Sequence, residues 1–496
     1  MQVMNNFQIE GRIKEEIDKL LTLMNGYVTK DVGIHEMEVG ILRQLLRLGL
    51  VLLVQIIEAK KLSLKGYRPL LPTGQLMKNK GLKSRKYLSL FGRLKFSRTR
   101  YLGPDSKSYY VLDEHLKFPV NSEWSYNLQE MIGENASEND FRESVRIFNK
   151  LLHLDLSGKS SERNSNRLGA LVDAFYEQQP KDEEYGEKCF SASFDGKGVP
   201  KIKKKKELDG NPKKHLGKGE KKGTKQMATV SVTSCFVPKT RSKRSIIAGL
   251  MGSSLSKVLP DKQGQKDAKK NDNRWHEKIH RRAFLNDQAK AITYGLDDIR
   301  VRMKNPNSRF VVPIDAGIGL EGKVLAYVKK HNMEEQFDGI IIDIIHVSGY
   351  VWDAATAIFG EKSKLRADWV REMLEDILDS KIEKVIRDLK LIRDKTKLSE
   401  NKLKQVAKTI TYFENHQHNM DYKLFIEKGY PVSSALVESA CGHLVKERME
   451  QSGMRWSSKG AQNIMDLRAV KLNDDFDDFK EFVISQEHKT LSHLAA

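Results

Sequence analysis

The spacing of apolar residues changes several times along the chain, and each change predicts a different kind of element. Helical spacing predicts two N-terminal helices, over residues 8–24 and 35–60. The second contains leucines dense enough to predict burial, namely Leu42, Leu45, Leu46, Leu48 and Leu50. Two β-rich runs follow, at residues 87–98 and 108–112, and the Gly-Pro-Asp between them predicts a turn. The sequence therefore predicts a helical start followed by a small hairpin.

Three more helical stretches are predicted after the hairpin, at residues 122–132, 139–152 and 160–177. A short segment with one glycine joins the last two. Two short helices with such a turn can place the second helix in the major groove of DNA. In that interpretation the DNA-facing residues are Arg163, Asn164, Asn166 and Arg167. An ordinary helical hairpin is the alternative that the same pattern allows.

Alternation of apolar and polar residues begins at Cys189 and predicts a strand that ends at Asp195. A tight turn would follow at Gly196, with a second strand from Val199 and a third over residues 226–237. Beyond these, polar residues 256–283 predict a loop that leads into a helix. We expect that helix to cover residues 274–303.

A run of strand, helix and strand at residues 310–314, 320–330 and 339–345 predicts a parallel pair. Three antiparallel strands followed by two strands with helical crossovers make an α/β fold with a ribonuclease H-like layout. Residues 350–417 are charged and helical throughout, which predicts an all-helical insertion into this core. A last helix is predicted over residues 432–449, with Ser433 or Ser434 as its N-cap.

The chain of 496 residues is longer than one hydrophobic core usually serves, so we expect several domains. The changes of pattern divide it into six segments: a helical N-terminal region (1–83), a β-hairpin region (84–120), a helix-turn-helix-like DNA-binding region (121–180), the first part of the ribonuclease H-like core (186–349), the helical insertion (350–420), and the final part of the core with a C-terminal tail (421–496).

The net charge of +20 predicts a polyanionic partner, of which nucleic acid is the commonest. A basic ribosome-associated or anionic-membrane protein would carry a similar charge. Residues 197–225 alone hold 12 lysines against 3 acids. Within them, Lys203, Lys204 and Lys205 are candidate contacts to DNA phosphates. A solvated loop is the alternative interpretation of this run.

Cysteine usage and hydropathy predict the compartment. Cys189, Cys235 and Cys441 are far apart and show neither zinc-site nor disulfide spacing, which indicates a reducing environment. The most apolar stretch, residues 41–57, contains Arg43 and Arg47 and is too short and too charged to span a bilayer. The N-terminus shows no secretory signal. We expect a soluble, cytoplasmic protein that does not associate with membranes.

Three carboxylates carry the candidate chemistry. Asp195 is predicted at the end of the first central strand, Asp315 at the end of a parallel neighbour, and Glu438 on the last helix. Each has apolar neighbours, and carboxylates in such settings need a partner charge or a metal. Cleavage of a phosphodiester uses two divalent cations held by carboxylate oxygens. Taken singly, each acid is better explained as a turn residue or a solvated helical residue, and only the apolar neighbours of all three favour a shared site.

Several segments match a known family: FDGKGVP, HLGKGEKKGTKQMATVSV, VVPIDAGIG, IIIDIIHVSGYVWDAA and a long block that begins GYPVSSALVESACGHLVKERMEQSGMRW. Together they resemble the bacterial insertion-sequence transposases of the ISKra type, over about residues 188–475. The resemblance implies a DDE transposase on a ribonuclease H-like fold, with Asp195, Asp315 and Glu438 as metal ligands. It further implies two Mg²⁺ ions, replaceable by Mn²⁺, and a nucleoid-associated location in a bacterium.

The resemblance also implies an Asp-x-x-His element, which here is Asp343 and His346. Asp343 is therefore the rival of Asp315 as the second acid. Strand order favours Asp315, because the second acid of these folds should follow the fourth strand, and Asp343 would then support the site from the fifth.

Basic and aromatic residues cluster near Glu438 in the sequence. Lys446, Arg448 and Arg455 are candidate phosphate contacts, and Trp456 could stack on an unpaired base. Ordinary surface cations and a core tryptophan are the alternatives.

The predicted activity is metal-dependent hydrolysis at the transposon ends, which frees a 3′ hydroxyl, followed by attack of that hydroxyl on target DNA. The partner is double-stranded DNA. Because two DNA ends must be held together, we expect a homodimer or a larger synaptic complex. The alternatives are a non-catalytic, domesticated DNA-binding relative and a ribonuclease H-like nuclease without strand transfer.

Overall fold

The computed structural model describes residues 2–70, 74–103, 108–181, 183–202, 225–252, 276–317, 319–396 and 398–492, with side chains from residue 11 to 489 within these ranges. The chain forms two compact units, Met1–Gln178 with Asp466–Ala496, and Gln179–Met465. Lys203, Lys204 and Lys205, predicted to contact DNA, lie outside the described residues.

The first unit is mainly helical and carries one small sheet. Its helices are α1 (Gln2–Thr29), α2 (Ile34–Ser63), α3 (Val111–His115), α4 (Tyr126–Glu138), α5 (Glu143–Leu152), α6 (Gly158–Gly169) and α7 (Val172–Gln178), joined by a C-terminal helix (Phe476–Ser492). Its strands are β1 (Lys78–Ser89), β2 (Gly92–Leu102) and β3 (Ser108–Tyr109), in the order β1-β2-β3.

The helices α1 and α2 are both present, as predicted, and form a hairpin. A Cβ atom on Gly40 would lie 1.7 Å from the hydroxyl of Tyr27, so the present packing of Tyr27 on α2 uses the space left by glycine. Gln44 is buried and donates from Nε2 to Glu16 Oε2 at 2.8 Å. The predicted burial of the leucine group is wrong for Leu42 and Leu45, which are 38% and 47% exposed.

Among the described residues, only α2 is long and apolar enough to cross a membrane by length and composition. It lies near the N-terminus and contains Arg43 and Arg47. Its most apolar stretch is only 17% buried, and one helix of this length and composition is weak evidence for a membrane span, because core helices and signal sequences pass the same test.

The small sheet corrects the predicted hairpin. Residues 87–98 are not one strand, because the chain reverses between Ser89 and Gly92, and β1 pairs with β2 in antiparallel register. Gly92 has a φ of 128°, which favours glycine at the turn. The run predicted at residues 108–112 does pair with the strand before it, since Tyr101 on β2 lies opposite Tyr109 on β3.

Helices α4 and α5 pack around a small core that includes Leu128, Ile132 and Val145. The connection from α5 to α6 is ordered by Asn149, whose side chain exchanges two 2.9 Å hydrogen bonds with the backbone of Leu156. The predicted helix over residues 160–177 is two helices, α6 and α7, because the chain bends after Gly169.

The second unit contains a five-stranded mixed sheet with helices, which confirms the α/β class. Its strands are β4 (Cys189–Pro200), β5 (Lys225–Phe236), β6 (His276–Leu285), β7 (Arg309–Ile314) and β8 (Phe337–Ile342). The sheet order is β6-β5-β4-β7-β8. The pairs β4–β5 and β5–β6 are antiparallel, whereas β4–β7 and β7–β8 are parallel. The central strand is therefore β4.

Two strand predictions in this sheet are wrong. No turn follows Asp195, which lies within the continuous strand β4 and pairs with Val230 on β5. The third antiparallel strand is β6, in a segment predicted to be a loop and the start of a helix. The first half of β6 is polar and shows no apolar alternation, so only its pairing with β5 and the burial of Ala283 and Phe284 establish it as a strand.

Helices pack with the sheet in the second unit. They are α8 (Lys243–Met251), α9 (Gln288–Arg302), α10 (Leu320–Lys330), α11 (Ile344–Phe359), α12 (Leu365–Leu378), α13 (Ile382–Lys395), α14 (Glu400–His416), α15 (Tyr422–Glu427) and α16 (Ala435–Ala440). The predicted helix over residues 320–330 is α10. The helical stretch predicted from residue 350 begins earlier, with α11 directly after β8, and its apolar residues join the core of the sheet. A later helix, α17 (Ser458–Leu472), continues into the first unit.

An ionic cluster around the fully buried pair Asp298 and Arg302 ties α9 to β5 and β6. Asp298 accepts hydrogen bonds from Thr233 Oγ1 at 2.6 Å and Arg302 Nη1 at 3.0 Å, and His280 Nδ1 lies 3.1 Å from its other oxygen. Burial would raise the pKa of Asp298, but the hydrogen bond of His280 and the charges of His280, Arg302 and Lys181 outweigh it and hold the pKa well below its usual range. Asp298 is therefore ionised and paired.

Replacing Asp298 by Asn should lower the free energy of unfolding of the second unit by about 3–5 kcal/mol, because it leaves the buried Arg302 without its counter-charge. Urea denaturation measures the loss. The control is Asp297→Asn, whose charged partner Arg300 is on the surface and whose amide oxygen can still accept the hydrogen bond from Tyr327, and it should cost about 1 kcal/mol or less. Equal losses in both variants would contradict the role of the buried pair.

Candidate metal centre

Three side chains that can hold a metal ion meet beside strand β8. One ligand atom each from Asp343, His346 and Glu438 lies within 4.8 Å of the other two. Asp343 directly follows β8, His346 is in the first turn of α11, and Glu438 is on α16. Parallel strands bring their carboxyl ends to the same edge of a sheet, which explains why Asp343 is there.

Asp343 is fully buried, and both of its carboxylate oxygens accept hydrogen bonds. Oδ1 accepts from the backbone N–H of Ile345 at 2.7 Å and so caps α11. Oδ2 accepts from the hydroxyl of Ser434. The backbone N–H of Asp343 also donates to Ile314 O at 2.9 Å, which joins the ends of β7 and β8. The carboxylate therefore has a fixed orientation, and it sets the start of the helix that carries His346.

Ser434 links Asp343 to the helix of Glu438. It precedes α16, and its carbonyl accepts from the backbone N–H of Glu438 at 3.2 Å. As the sequence predicted, Ser434 is the N-cap residue, but its hydroxyl bonds to Asp343 rather than to its own helix. The backbone N–H of Ile344 donates to Val432 O at 3.0 Å, which is a second hydrogen bond between these two segments. Asp343 and the helix of Glu438 are thus fixed relative to each other.

His346 lies between two carboxylates. Its Nε2 is 3.4 Å from Glu438 Oε1, and its Nδ1 is 4.0 Å from Asp315 Oδ1. These three side chains are 38–42% exposed, in contrast to Asp343. Asp315, which directly follows β7, therefore reaches the same imidazole although it is not one of the three grouped ligands. The solvent-facing side of the site consists of Asp315, His346 and Glu438.

Asp195 acts on the same site through its charge. Burial raises the pKa of Glu438, the negative charges of Asp343 and Asp195 raise it further, and His346 partly offsets this. Burial also raises the pKa of the Cys441 thiol, and the charge and hydrogen bond of Asp195 add to that rise. Asp195 and Asp315 are each four residues beyond the paired residues Ser191 and Val311 on neighbouring parallel strands. The three predicted ligands therefore converge on this edge.

The helix that carries Glu438 is not regular. After Ala440 it becomes a π-helix over Cys441–Lys446, which is the segment whose thiol contacts Asp195. Single π turns occur often at functional sites. The predicted helix over residues 432–449 begins only at Ala435. Sequence reasoning missed Cys441 and the role of Ser434, because neither a π turn nor a contact across the fold has a local pattern.

The donor set suits a divalent cation. Carboxylate oxygens with one imidazole can bind Mg²⁺, Mn²⁺ or a transition metal, and nothing in the geometry identifies the ion. Several like charges converge here, and a bound cation would relieve the repulsion from Asp343 and Asp195, which adds to the effect of burial in raising the pKa of Glu438.

Two of the residues predicted to bind DNA are buried next to this helix. Arg448 is fully buried, and its guanidinium carbon lies 4.9 Å from the centre of the Trp456 ring. Trp456 is 7% exposed and donates from Nε1 to Met449 O at 3.0 Å. The prediction that Arg448 holds phosphate and Trp456 stacks on a base is wrong, because both side chains form part of the core. Lys446 and Arg455 are exposed, as a DNA contact requires.

The prediction that α6 presents Asn164 and Arg167 to DNA is also wrong. Asn164 is buried and donates to Gln129 O at 2.8 Å. Arg167 is three-quarters buried and pairs with Glu487 at 2.9 Å. Both side chains therefore hold the first unit together. Arg163 remains exposed on α6, and its predicted contact with DNA stays a prediction.

No protein-family model and no curated protein matches this chain. The interpretation of the site therefore depends on its geometry and chemistry.

Replacing Ser434 by Ala should weaken Mn²⁺ binding roughly tenfold, because the carboxylate of Asp343 loses the partner that orients it and joins it to the Glu438 helix. Isothermal titration calorimetry with MnCl₂ measures the affinity. The matched control is Ser439→Ala, which removes an exposed hydroxyl from the same helix and should leave the affinity unchanged. If the two variants bind Mn²⁺ alike, Ser434 does not organise the site.

Mn²⁺ affinity should fall as the pH is lowered, and the fall should begin above the usual titration range of a glutamate. The raised pKa of Glu438 means that its proton competes with the metal at a higher pH than usual. Glu438→Gln removes this titration and should flatten that part of the profile. A wild-type profile identical to that of Glu438→Gln would show that Glu438 does not bind the metal.

Proposed function

We propose that the protein is a metal-dependent DNA transposase of the DDE type, with a ribonuclease H-like catalytic core. The observation that carries the proposal is the convergence of Asp195, Asp315 and Glu438, together with His346, at one edge of a five-stranded mixed sheet. Three antiparallel strands followed by two parallel ones, with the first strand central, is the order expected of such a core. The basic charge of +20 agrees with a DNA partner.

Asp315 remains our choice for the second metal ligand, with Asp343 in support. Asp315 follows the fourth strand and is 38% exposed, so a bound cation and a phosphate could reach it. Asp343 is fully buried, and each of its oxygens already accepts a hydrogen bond. Its ligand atom is nevertheless close to those of His346 and Glu438, so Asp343 is the rival that experiment must exclude.

Each group of residues would have its own role in catalysis. Asp195, Asp315 and Glu438 would hold two Mg²⁺ ions, or Mn²⁺ in their place. Bound in this way, divalent ions activate the attacking oxygen and stabilise the leaving oxygen of a phosphodiester. His346 lies close enough to Glu438 to share a proton with it and to keep it in place. Exposed Lys446 and Arg455 would contact DNA phosphates.

The reaction would begin with hydrolysis at each transposon end, which frees a 3′ hydroxyl. That hydroxyl would then attack a phosphodiester of target DNA in line with the bond that breaks, so no covalent protein intermediate is required. Most of the rate enhancement would come from positioning and from neutralisation of phosphate charge.

Substitution of single acids tests the proposal. With the DNA ends that flank the gene and Mg²⁺ or Mn²⁺, Asp195→Asn, Asp315→Asn and Glu438→Gln should each lower the cleavage rate by about 10²-fold or more, because each removes a metal ligand. Asp343→Asn should cost about tenfold, as expected for a supporting residue. The control, Glu447→Gln, changes an exposed acid near Glu438 and should cleave normally.

Three outcomes would change the assignment. If Asp343→Asn abolishes cleavage and Asp315→Asn does not, Asp343 is the second ligand. Cleavage without joining to target DNA would identify a nuclease instead of a transposase. Specific binding of the DNA ends, with no metal-dependent cleavage in wild type or variants, would identify a non-catalytic DNA-binding relative.

A further inference from the structure

The helical hairpin at the start of the chain exposes a line of large apolar side chains, here called the apolar seam. These residues are between 37% and 86% exposed, and they lie on both helices: Ile17, Leu21, Met24 and Val28 on α1, and Ile34, Ile41, Leu45, Leu52 and Ile56 on α2. Soluble proteins rarely expose this many large apolar side chains on one helical hairpin unless a partner binds them.

The spacing of the seam is that of a helix that packs against another helix. On α1, Ile17, Leu21, Met24 and Val28 follow one another at intervals of four, three and four residues. Of the eight exposed large apolar residues on α2, five follow at intervals of seven, four, seven and four, whereas Val39, Leu42 and Leu62 lie off this stripe. Alternating steps of three and four, or their sum of seven, place side chains on one stripe of a helix, as in coiled coils and helical bundles.

The contact between α1 and α2 uses other residues. Tyr27 packs on Gly40, and Glu16 accepts a hydrogen bond from Gln44. Hence the seam is not the face that joins the two helices within the hairpin.

We propose that the apolar seam is the interface through which two copies of this chain dimerise, with the two hairpins forming a four-helix bundle. A two-fold arrangement presents the same patch on both partners, so each of the four helices would bury its stripe against the other copy. This inference is independent of the proposed catalytic activity.

The size of the seam fits such a dimer. Nine side chains of this size and exposure present roughly 900 Å² per copy, and each partner in a standard protein interface contributes about 800 Å². Burial of apolar surface on this scale is sufficient for a stable complex when the side chains interdigitate.

The charges beside the seam argue for a protein partner in water and against a lipid bilayer. Glu15, Asp18 and Lys19 are exposed on α1, and Arg43 and Arg47 are exposed on α2. A membrane-spanning hairpin would bring these charges into the hydrocarbon core at a high energetic cost. In a four-helix bundle they remain at the rim, in contact with solvent.

The experiment measures the mass of the full-length protein by sedimentation velocity from 0.1 to 50 µM. The wild type should sediment as a dimer. The double variant Leu45→Glu and Leu52→Glu places two charges in the seam and should raise the dimer dissociation constant at least 100-fold, so that monomer dominates. The matched control is Leu325→Glu and Leu391→Glu, which changes two leucines of similar exposure on α10 and α13 and should remain dimeric.

Circular dichroism and the thermal midpoint of each variant establish that it is folded. A second seam variant, Ile17→Lys with Ile56→Lys, provides an independent measurement if the first fails to fold. A monomeric wild type at 50 µM would overturn the proposal, as would a folded seam variant that remains dimeric. A third result would also overturn the proposal: the wild type floats with anionic phosphatidylserine vesicles, the seam variant does not, and the wild type is monomeric in solution. The seam would then bind a membrane surface.

Discussion

The candidate site depends on one residue, Asp343, which makes hydrogen bonds to three different parts of the fold. Its backbone joins the end of β8 to β7, one carboxylate oxygen caps α11, and the other accepts from Ser434 at the start of the Glu438 helix. A fully buried carboxylate is tolerated only if it is satisfied in this way. The same bonds that satisfy Asp343 position His346 and Glu438, so the stability of this edge and the geometry of the site have a common origin.

The core of the second unit uses buried charge at two places with different results. The carboxylate of Asp298 is paired with Arg302 and lies beside His280, so its negative charge is neutralised within the protein. At the other site, Asp195, Asp315, Asp343 and Glu438 approach one another around His346, and burial together with the charges of Asp343 and Asp195 raises the pKa of Glu438. The first arrangement is complete without a ligand. The second has excess negative charge, which a bound divalent cation would neutralise.

Local pattern predicted the elements whose residues alternate clearly or lie between strong turn signals, such as β7, α10 and the two N-terminal helices. It failed for β6, whose polar first half becomes a strand only by pairing with β5, and for the turn expected after Asp195, where pairing along β5 keeps the strand extended. It also failed for Arg448 and Trp456, because a cation and an aromatic ring in sequence give no indication that they will pack on each other inside the protein.

The sequence by itself determined the α/β class, the acids at the ends of apolar runs and the basic character of the chain, because these follow from residue type and period. Only the tertiary structure decided that four carboxylates share one edge, that Asp343 is buried while Asp315 and Glu438 face solvent, and that Ser434 joins them. It also decided that the leucine-rich α2 keeps part of its apolar surface exposed. Burial and distance depend on contacts between residues far apart in the chain, and no local pattern encodes them.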